Sequence, residues 1–358
     1  MILEIFHHSQ ADVALVASVC QRWRYLALAC SDLWTNILIS PMWPSSIALA
    51  TLHAERSRDC FVNVAIEVRE DEVRRRGISP ALYKSYLMQT SKALVSIAPR
   101  TRRLVIDHTV MSIILGQVPH KFSKLICLKL QYRNGMGVIE LFPSHVWVPE
   151  LKELELTNNP WFTANALRND SLIYSSITTL RLSVCSIRAV MMMLVRCTRV
   201  ETLQLTDVYV FDTLFTIDVE NVDWEMTGLT DGVLHYPTLH SLTIKIDEST
   251  MQTLFQHTQF PNLQQLRIER KSAQFMQNTT AELWRPTLRN VRLLSMGGLV
   301  VPTHWFSGFE SVKVVRLLKW KRVTDEGIES LVELFPESVE LLQLEEEVLW
   351  RKDSATSS

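Results

Sequence analysis

The chain has 358 residues, which is long enough for two domains or for one extended repeat array. Apolar residues make up 47% and charged residues 21%, so a large core can form and disorder throughout the chain is excluded. The formal net charge of −1 gives no overall attraction to nucleic acid or to anionic membranes. Six cysteines without C-x-x-C spacing favour reduced thiols, and we expect a cytoplasmic or nuclear protein.

The first 36 residues predict an all-helical unit. A short helix is predicted at residues 3–6, and the segment from Asp12 to Cys30 carries one apolar face at helical spacing. The residues on that face are Leu15, Val16, Val19, Cys20, Trp23, Leu26 and Ala27. A break is predicted at residues 31–32, just before Leu33 and Trp34. Such a unit is suited to cover the end of a repeat array.

These N-terminal residues resemble the F-box, whose pattern runs I-F, then V-C-x-x-W, then a closing L-W. The matching residues are Ile5, Phe6, Val19, Cys20, Trp23, Leu33 and Trp34. The resemblance implies a non-catalytic substrate receptor of a Skp–cullin–F-box ubiquitin ligase, which contacts a Skp-type adaptor and through it the cullin scaffold. The adaptor-binding residues implied by the match are Ile5, Phe6, Val19, Cys20 and Trp23.

One part of the F-box pattern is missing. The L-P-x-E motif that normally opens the box does not precede "MILEIF". The box is therefore either truncated at its N-terminus or degenerate. A further alternative is that the helical unit only caps the array, and that the protein is an interaction scaffold without a role in ubiquitin ligation.

Residues 37–100 predict irregular first repeats that connect the helical unit to the array. The segments 35–40 ("TNILIS") and 61–68 ("FVNVAIEV") alternate in hydrophobicity as strands do. The segment 101–106 ("TRRLVI") predicts a degenerate repeat and begins the array proper. Terminal repeats are commonly less regular than internal ones.

From residue 101 to residue 347 the chain repeats the motif L-x-x-L-x-L. Nine copies start at Leu125, Leu151, Ile177, Val200, Leu239, Leu263, Leu288, Val312 and Val339. Successive starts lie 26, 26, 23, 39, 24, 25, 24 and 27 residues apart, and all but one interval fit a period of 20 to 29 residues. Within each L-x-L, the two apolar side chains of a strand point to one face and the residue between them points to the other.

This repeat resembles the leucine-rich-repeat family. The resemblance implies an α/β solenoid, a horseshoe whose parallel strands line the concave face and whose helices lie outside. Residues 324–336 are predicted to form one of those helices, because Thr324 is a plausible N-cap and Pro336 follows the end. Residues 348–358 are predicted to be a flexible tail.

The repeat register predicts which side chains a substrate would meet. The residue between the two apolar positions is arginine in three consecutive repeats, at Arg267, Arg292 and Arg316, and adjacent strands lie about 4.8 Å apart. We expect an arginine ladder that, with Leu294 and Leu318, binds an acidic or phosphorylated protein segment. The alternative is a solvated basic face.

The sequence contains no H-E-x-x-H, G-x-S-x-G, G-x-G-x-x-G or P-loop motif, so we expect no enzyme activity, cofactor or metal. The run "MMM" at residues 191–193 is predicted to lie in the core. The long interval between two repeats places an insertion at residues 211–236. It is either a loop over the concave face or a longer convex crossover.

Overall fold

The computed structural model describes residues 18–68, 73, 75–116, 121–131, 148–157, 174–209, 233–269, 289–297, 310–318, 338–344 and 347–351. The chain divides into two compact units. Unit 1 contains residues 1–158 and 163–176, and unit 2 contains residues 159–162 and 177–358. Ile5, Phe6, the helix predicted at residues 324–336 and most of the insertion at residues 211–236 lie outside the described residues.

Unit 1 is a mixed α/β structure built on parallel strands. Its helices are α1 (Gln21–Ala29), α2 (Pro44–Arg56), α3 (Pro80–Ile97) and α4 (His108–Gly116), with 3-10 turns at Ser31–Trp34 and Ala98–Arg100. Its strands are β1 (Asn36–Ile39), β2 (Val62–Ile66), β3 (Thr101–Asp107), β4 (Cys127–Gln131) and β5 (Glu153–Thr157). They pair in chain order, and every pair is parallel. The strands predicted at residues 35–40, 61–68 and 101–106 are thereby confirmed.

The free edge of β1 is closed by side chains of α2. Asn36 O lies 3.3 Å from Nδ1 of His53, and Ser46 Oγ donates to Leu38 O at 3.4 Å. The same Ser46 hydroxyl accepts from the Ser40 N–H at 2.8 Å. An open strand edge offers unpaired backbone groups to other chains, and these contacts occupy the carbonyl oxygens of Asn36 and Leu38.

Unit 2 repeats the same design over more strands. Its main strands are β6 (Thr179–Ser183), β7 (Thr202–Thr206), β9 (Ser241–Lys245), β11 (Gln265–Glu269), β12 (Leu293–Gly297), β13 (Val314–Leu318), β14 (Leu341–Leu344) and β15 (Glu347–Arg351). They pair in that order, in parallel as far as β14. A second sheet pairs β8 (Leu234–His235) with β10 (Thr258–Gln259), and the helices are α5 (Ile187–Arg196) and α6 (Glu248–His257).

Strand β15 corrects the prediction of a flexible tail from residue 348. Residues 347–351 pair antiparallel with β14, with Leu341 opposite Arg351. The run "EEEVLWRKD" carries too many charges to stand out as a strand, and its pairing with an existing strand edge overrides that local signal. Residues beyond 351 lie outside the described part.

Side-chain caps start the helices of both units. Ser79 Oγ accepts from the Leu82 N–H at the start of α3, and Ser186 Oγ accepts from the Ala189 N–H at the start of α5. Asp247 does the same for α6. Within α5, Met191 and Met193 are buried and Met192 is half-buried, so the predicted core position is confirmed for two of the three methionines.

The L-x-x-L-x-L motif is buried at its leading positions throughout the described strands. The first apolar residue of each copy is at most 3% exposed at Leu125, Leu151, Ile177, Val200, Leu239, Leu263, Val312 and Val339. The predicted neighbours Leu128 and Leu154 lie opposite each other on parallel strands, and so do Leu180 and Leu203. The residues between the buried ones lie on the opposite face of each sheet, which we call the outward face.

The predicted repeat frame is wrong at one copy. The copy predicted to start at Leu288 places Val291 and Leu293 in the core, but the structure buries Val291, Leu294 and Met296 instead. Strand β12 pairs Leu266 with Leu294 and Ile268 with Met296. Apolar residues at 288, 291, 293, 294 and 296 fit two frames three residues apart, and the pairing with β11 selects the later one.

Candidate protein-binding surfaces

Helix α1 begins at Gln21, and Cys20 is its N-cap residue. This residue has extended backbone angles (φ −156°, ψ 168°), and its Sγ accepts from the Trp23 N–H at 3.5 Å. The helical run predicted from residue 12 to residue 30 is thus interrupted at Cys20 within the described part. Sequence periodicity could not locate this break, because Cys20 occupies an apolar position of the helical pattern.

One face of α1 packs onto the following 3-10 turn, and Trp34 of that turn contacts α2. Ala27, Leu33 and Trp34 are buried together, and Trp23 and Cys30 pack against them. Trp34 Nε1 donates to Ala27 O at 2.6 Å. The Trp34 ring meets the His53 ring edge-on, with 4.9 Å between centroids, and the Arg56 guanidinium lies 5.2 Å from the Trp34 centroid. The segment is thereby fixed to the start of the sheet in unit 1.

The residues matched to the F-box divide into buried and exposed groups. Leu33 and Trp34 are buried and Trp23 is half-buried, whereas Cys20 is exposed and Val19 is 61% exposed. Tyr25 is 74% exposed. Tyr25 is not among the residues of the predicted apolar face, so sequence reasoning did not single it out. The described part of this segment therefore combines an internal anchor with exposed apolar side chains.

The predicted arginine ladder is wrong at its centre. Arg267 of β11 lies opposite Ser295 of β12, and Ser295 lies opposite Arg316 of β13. Arg292 lies just before β12, because the true repeat frame is three residues later than the predicted one. Its backbone N–H donates to Gln264 O, and its backbone carbonyl accepts from the Lys313 N–H. Ser295 is only 7% exposed, so the row is interrupted by a covered residue.

Leu294 is also misplaced in the prediction. It is fully buried, so it cannot contact a substrate from the outward face. Leu318 is paired with Gly297 in the strand register, and its side chain lies outside the described part of the structure. The structure therefore supports an outward position for Arg267 and Arg316 and excludes one for Leu294.

The two remaining outward arginines already have neighbours on the protein. Arg267 Nε donates to Glu269 Oε1 at 2.8 Å, and the two side chains form an ion pair. Arg316 Nε donates to Gln343 Oε1 at 2.7 Å. A ligand carboxylate or phosphate would compete with Glu269 for Arg267. The pair is exposed at the arginine, so its contribution to stability is small.

On unit 1 the outward face of the first three strands carries one apolar row of side chains. Leu38, Ala65 and Val105 lie side by side in the register, and Lys129 and Glu155 continue the same row. Lys129 Nζ lies 2.5 Å from Glu155 Oε1. A shallow depression is lined by Asn36, Ile37, Leu38, Asn63, Val64, Ala65, Arg103 and Val105. Sequence reasoning missed this surface, although the alternation in β1 and β2 places these side chains opposite the core.

Unit 2 also contains buried titratable groups. Burial raises the pKa of the Cys185 thiol to about 12 and raises the pKa of the Cys197 thiol further. Burial, with Cys197 nearby, raises the pKa of Tyr236, whose hydroxyl donates to Leu194 O at 2.8 Å. These groups are uncharged at neutral pH, and they pack in the core of unit 2.

Within the described ranges, no group of three or more His, Cys, Asp or Glu side chains could hold a metal ion. In that same part of the chain, no helix has the length and apolar character needed to cross a bilayer.

Comparison of the sequence with protein-family models and with curated proteins finds no match. Among solved structures, the chain is similar to the crystal structure of the Rad7 and Elc1 complex from yeast. The sequence identity is 16% and the TM-score is 0.39, over 88% of this chain and 72% of that chain.

Proposed function

We propose that this protein is the substrate-recognition subunit of a Skp–cullin–F-box ubiquitin ligase, acting in the cytoplasm or the nucleus. The N-terminal segment binds the Skp-type adaptor, and the strands and their connections hold a protein substrate. The observation that carries the proposal is the division of the F-box-like residues into a buried anchor at Trp34 and an exposed apolar residue at Val19. A docking segment needs both a fixed backbone and accessible apolar side chains.

Such a receptor makes and breaks no covalent bond. It raises the effective concentration of substrate near a conjugating enzyme, and the gain depends on holding both partners in a fixed geometry. The contacts of Trp34 with Ala27, His53 and Arg56 supply that rigidity, because they join the adaptor-binding segment to β1 and α2. The repeated parallel strands then extend the surface on which a substrate can lie.

The test is adaptor binding by a variant that changes an exposed residue only. Val19→Glu places a charge on a side chain that is 61% exposed, so the fold should tolerate it. We expect it to weaken co-purification with a Skp-type adaptor at least about tenfold, because an interface core rejects an unpaired charge.

Leu82→Glu is the matched control. Leu82 is 43% exposed in the first turn of α3, where Glu three residues after Ser79 completes a capping box. This variant should bind the adaptor as the wild type does. If the wild-type chain fails to bind the adaptor, or if Val19→Glu binds it unchanged, the ligase proposal is wrong and the interaction scaffold remains.

A further inference from the structure

The outward face of β1, β2 and β3 carries an apolar surface with a small residue at its centre. Ala65 lies between Leu38 and Val105 in the strand register, and Leu38 is 55% exposed. Leu38 and Val105 sit two strands apart, about 10 Å, since neighbouring strands are about 4.8 Å apart. The missing volume above Ala65 leaves room for one apolar side chain from outside. We call these three residues the hollow.

Arg103 borders the hollow on one side, and Arg102 precedes it in β3. Asn36, Asn63 and Arg103 form the next row of outward residues, and Asn63 Nδ2 donates to Asn36 Oδ1 at 3.0 Å. The pairing of β2 with β3 shifts register after Val62, so that both Arg102 and Arg103 are exposed in succession. A bulge of this kind redirects a side chain that regular pairing would place on the other face.

The charge of these two arginines is not neutralised within the described part of the chain, where neither guanidinium has a hydrogen-bond or ion-pair partner. Lys129 on the same face differs, because Glu155 neutralises it. An apolar hollow beside uncompensated cations complements a ligand that carries an apolar group beside carboxylates.

The edge of β1 limits how a ligand can approach. Its backbone acceptors at Asn36 and Leu38 are occupied by His53 and Ser46. A peptide therefore does not extend the sheet as an added strand. It lies across the outward face, with one side chain directed at Ala65.

We propose that the hollow binds a protein segment in which a bulky apolar residue is flanked by Asp or Glu. The apolar side chain fills the space between Leu38 and Val105, and the carboxylates contact Arg102 and Arg103. This inference rests on the proposed function, since it names the class of segment that the receptor holds. It places that segment on unit 1, whereas the predicted arginine ladder belongs to unit 2.

The experiment measures fluorescence anisotropy of labelled nonapeptides with the full chain and without adaptor. The probes have the form Gly-Ser-Glu-Asp-X-Glu-Asp-Ser-Gly, with X as Leu, Ile, Phe or Trp. The comparison peptides carry Ala at X, or Lys in place of every acidic residue. We expect saturable binding of at least one acidic probe below about 1 mM, and at least tenfold weaker binding of both comparison peptides.

Two variants locate the binding. Ala65→Trp fills the hollow and should reduce affinity at least tenfold, and Arg103→Glu should reduce it similarly with a lower salt dependence. The matched controls in unit 2 are Thr243→Trp, which changes an outward residue of β9, and Arg199→Glu, which changes an exposed arginine. Both controls should bind the probe as the wild type does.

Three results would overturn the inference. They are equal binding of acidic and basic probes, affinity unchanged by Ala65→Trp, and a chain dimer in sedimentation velocity that Ala65→Trp dissociates. The last result would assign the hollow to a second copy of the chain. Adaptor co-purification is measured separately, so a failed ligase proposal and a failed peptide site give different results.

Discussion

At the scale of single residues, Asp247 connects local structure to pH. Burial raises the pKa of its carboxyl, but hydrogen bonds from Ser249 and Thr250 outweigh burial and lower the pKa below its usual value. The Ser249 hydroxyl lies 2.6 Å from Oδ1, the Thr250 N–H 2.9 Å from Oδ1 and the Thr250 hydroxyl 2.9 Å from Oδ2. The folded chain therefore favours the ionised cap at the start of α6.

This shift predicts a pH-dependent effect of Asp247→Asn. The pKa of the Asp247 carboxyl is lower in the folded chain than in the unfolded chain, where it is about 3.9. The ionised carboxylate therefore stabilises the fold at a pH above about 3.9, and this stabilisation is lost as the pH falls through the pKa of the folded state. Asn retains the capping acceptor but cannot ionise. The thermal unfolding temperature of the variant should lie below that of the wild type at pH 7, and the difference should shrink as the pH falls below about 4.

Asp247→Ala is the control for the cap itself. This variant removes the capping acceptor, so its free energy of unfolding should be about 1 kcal/mol lower than that of Asp247→Asn, both above and below a pH of about 4. A difference between wild type and Asp247→Asn that stays constant from pH 7 to about pH 3 would contradict the role of the ionised carboxylate.

At the scale of strands and helices, the repeated motif predicted most of the parallel strands. When leucines recur at this spacing, only one strand register buries all of them, because buried positions in a strand must alternate with outward ones. The motif did not resolve residues 288–296, where two frames are equally apolar. It also did not predict the left-handed backbone of Val184 (φ 53°), since β-branched residues rarely adopt it and only the surrounding fold imposes it.

The binding surfaces were less predictable than the strands. Val19 and Trp23 were identified because their spacing matched a known pattern, but spacing does not reveal which of them is exposed. The hollow depends on a bulge at β3 and on the pairing of Ala65 with its two neighbours. Those are properties of strand register, which separate segments acquire only when they pair.

The register of β12 gives a direct prediction at this scale. Leu294→Ala should reduce the free energy of unfolding by about 2–5 kcal/mol, because Leu294 is fully buried. Leu293→Ala removes the same atoms from a half-exposed, outward position and should cost about 1 kcal/mol or less. The two variants are compared by urea denaturation. A larger loss for Leu293→Ala would restore the earlier frame, and with it the outward position of Arg292.

At the scale of the whole molecule, the strand order limits how far a local defect spreads. Within each unit, every parallel strand pairs with its neighbours in the array, and those neighbours follow closely in the sequence. Stability in such arrays is approximately a sum of local units and of the interfaces between neighbours. Two compact units in one chain should therefore differ in their response to a mutation in either core.

Paired core mutations test this independence by hydrogen exchange with mass spectrometry. Leu104 in β3 and Leu266 in β11 are both almost fully buried, and Leu→Ala at such a site costs about 2–5 kcal/mol. Leu104→Ala should accelerate amide exchange at residues 62–66 and 101–107 by at least about thirtyfold, and leave residues 241–245 and 265–269 near the wild-type rate. Leu266→Ala should give the reverse pattern. Equal acceleration in both units by either variant would mean that the chain unfolds as one cooperative body, since neighbour-limited coupling cannot carry a single core defect through every strand.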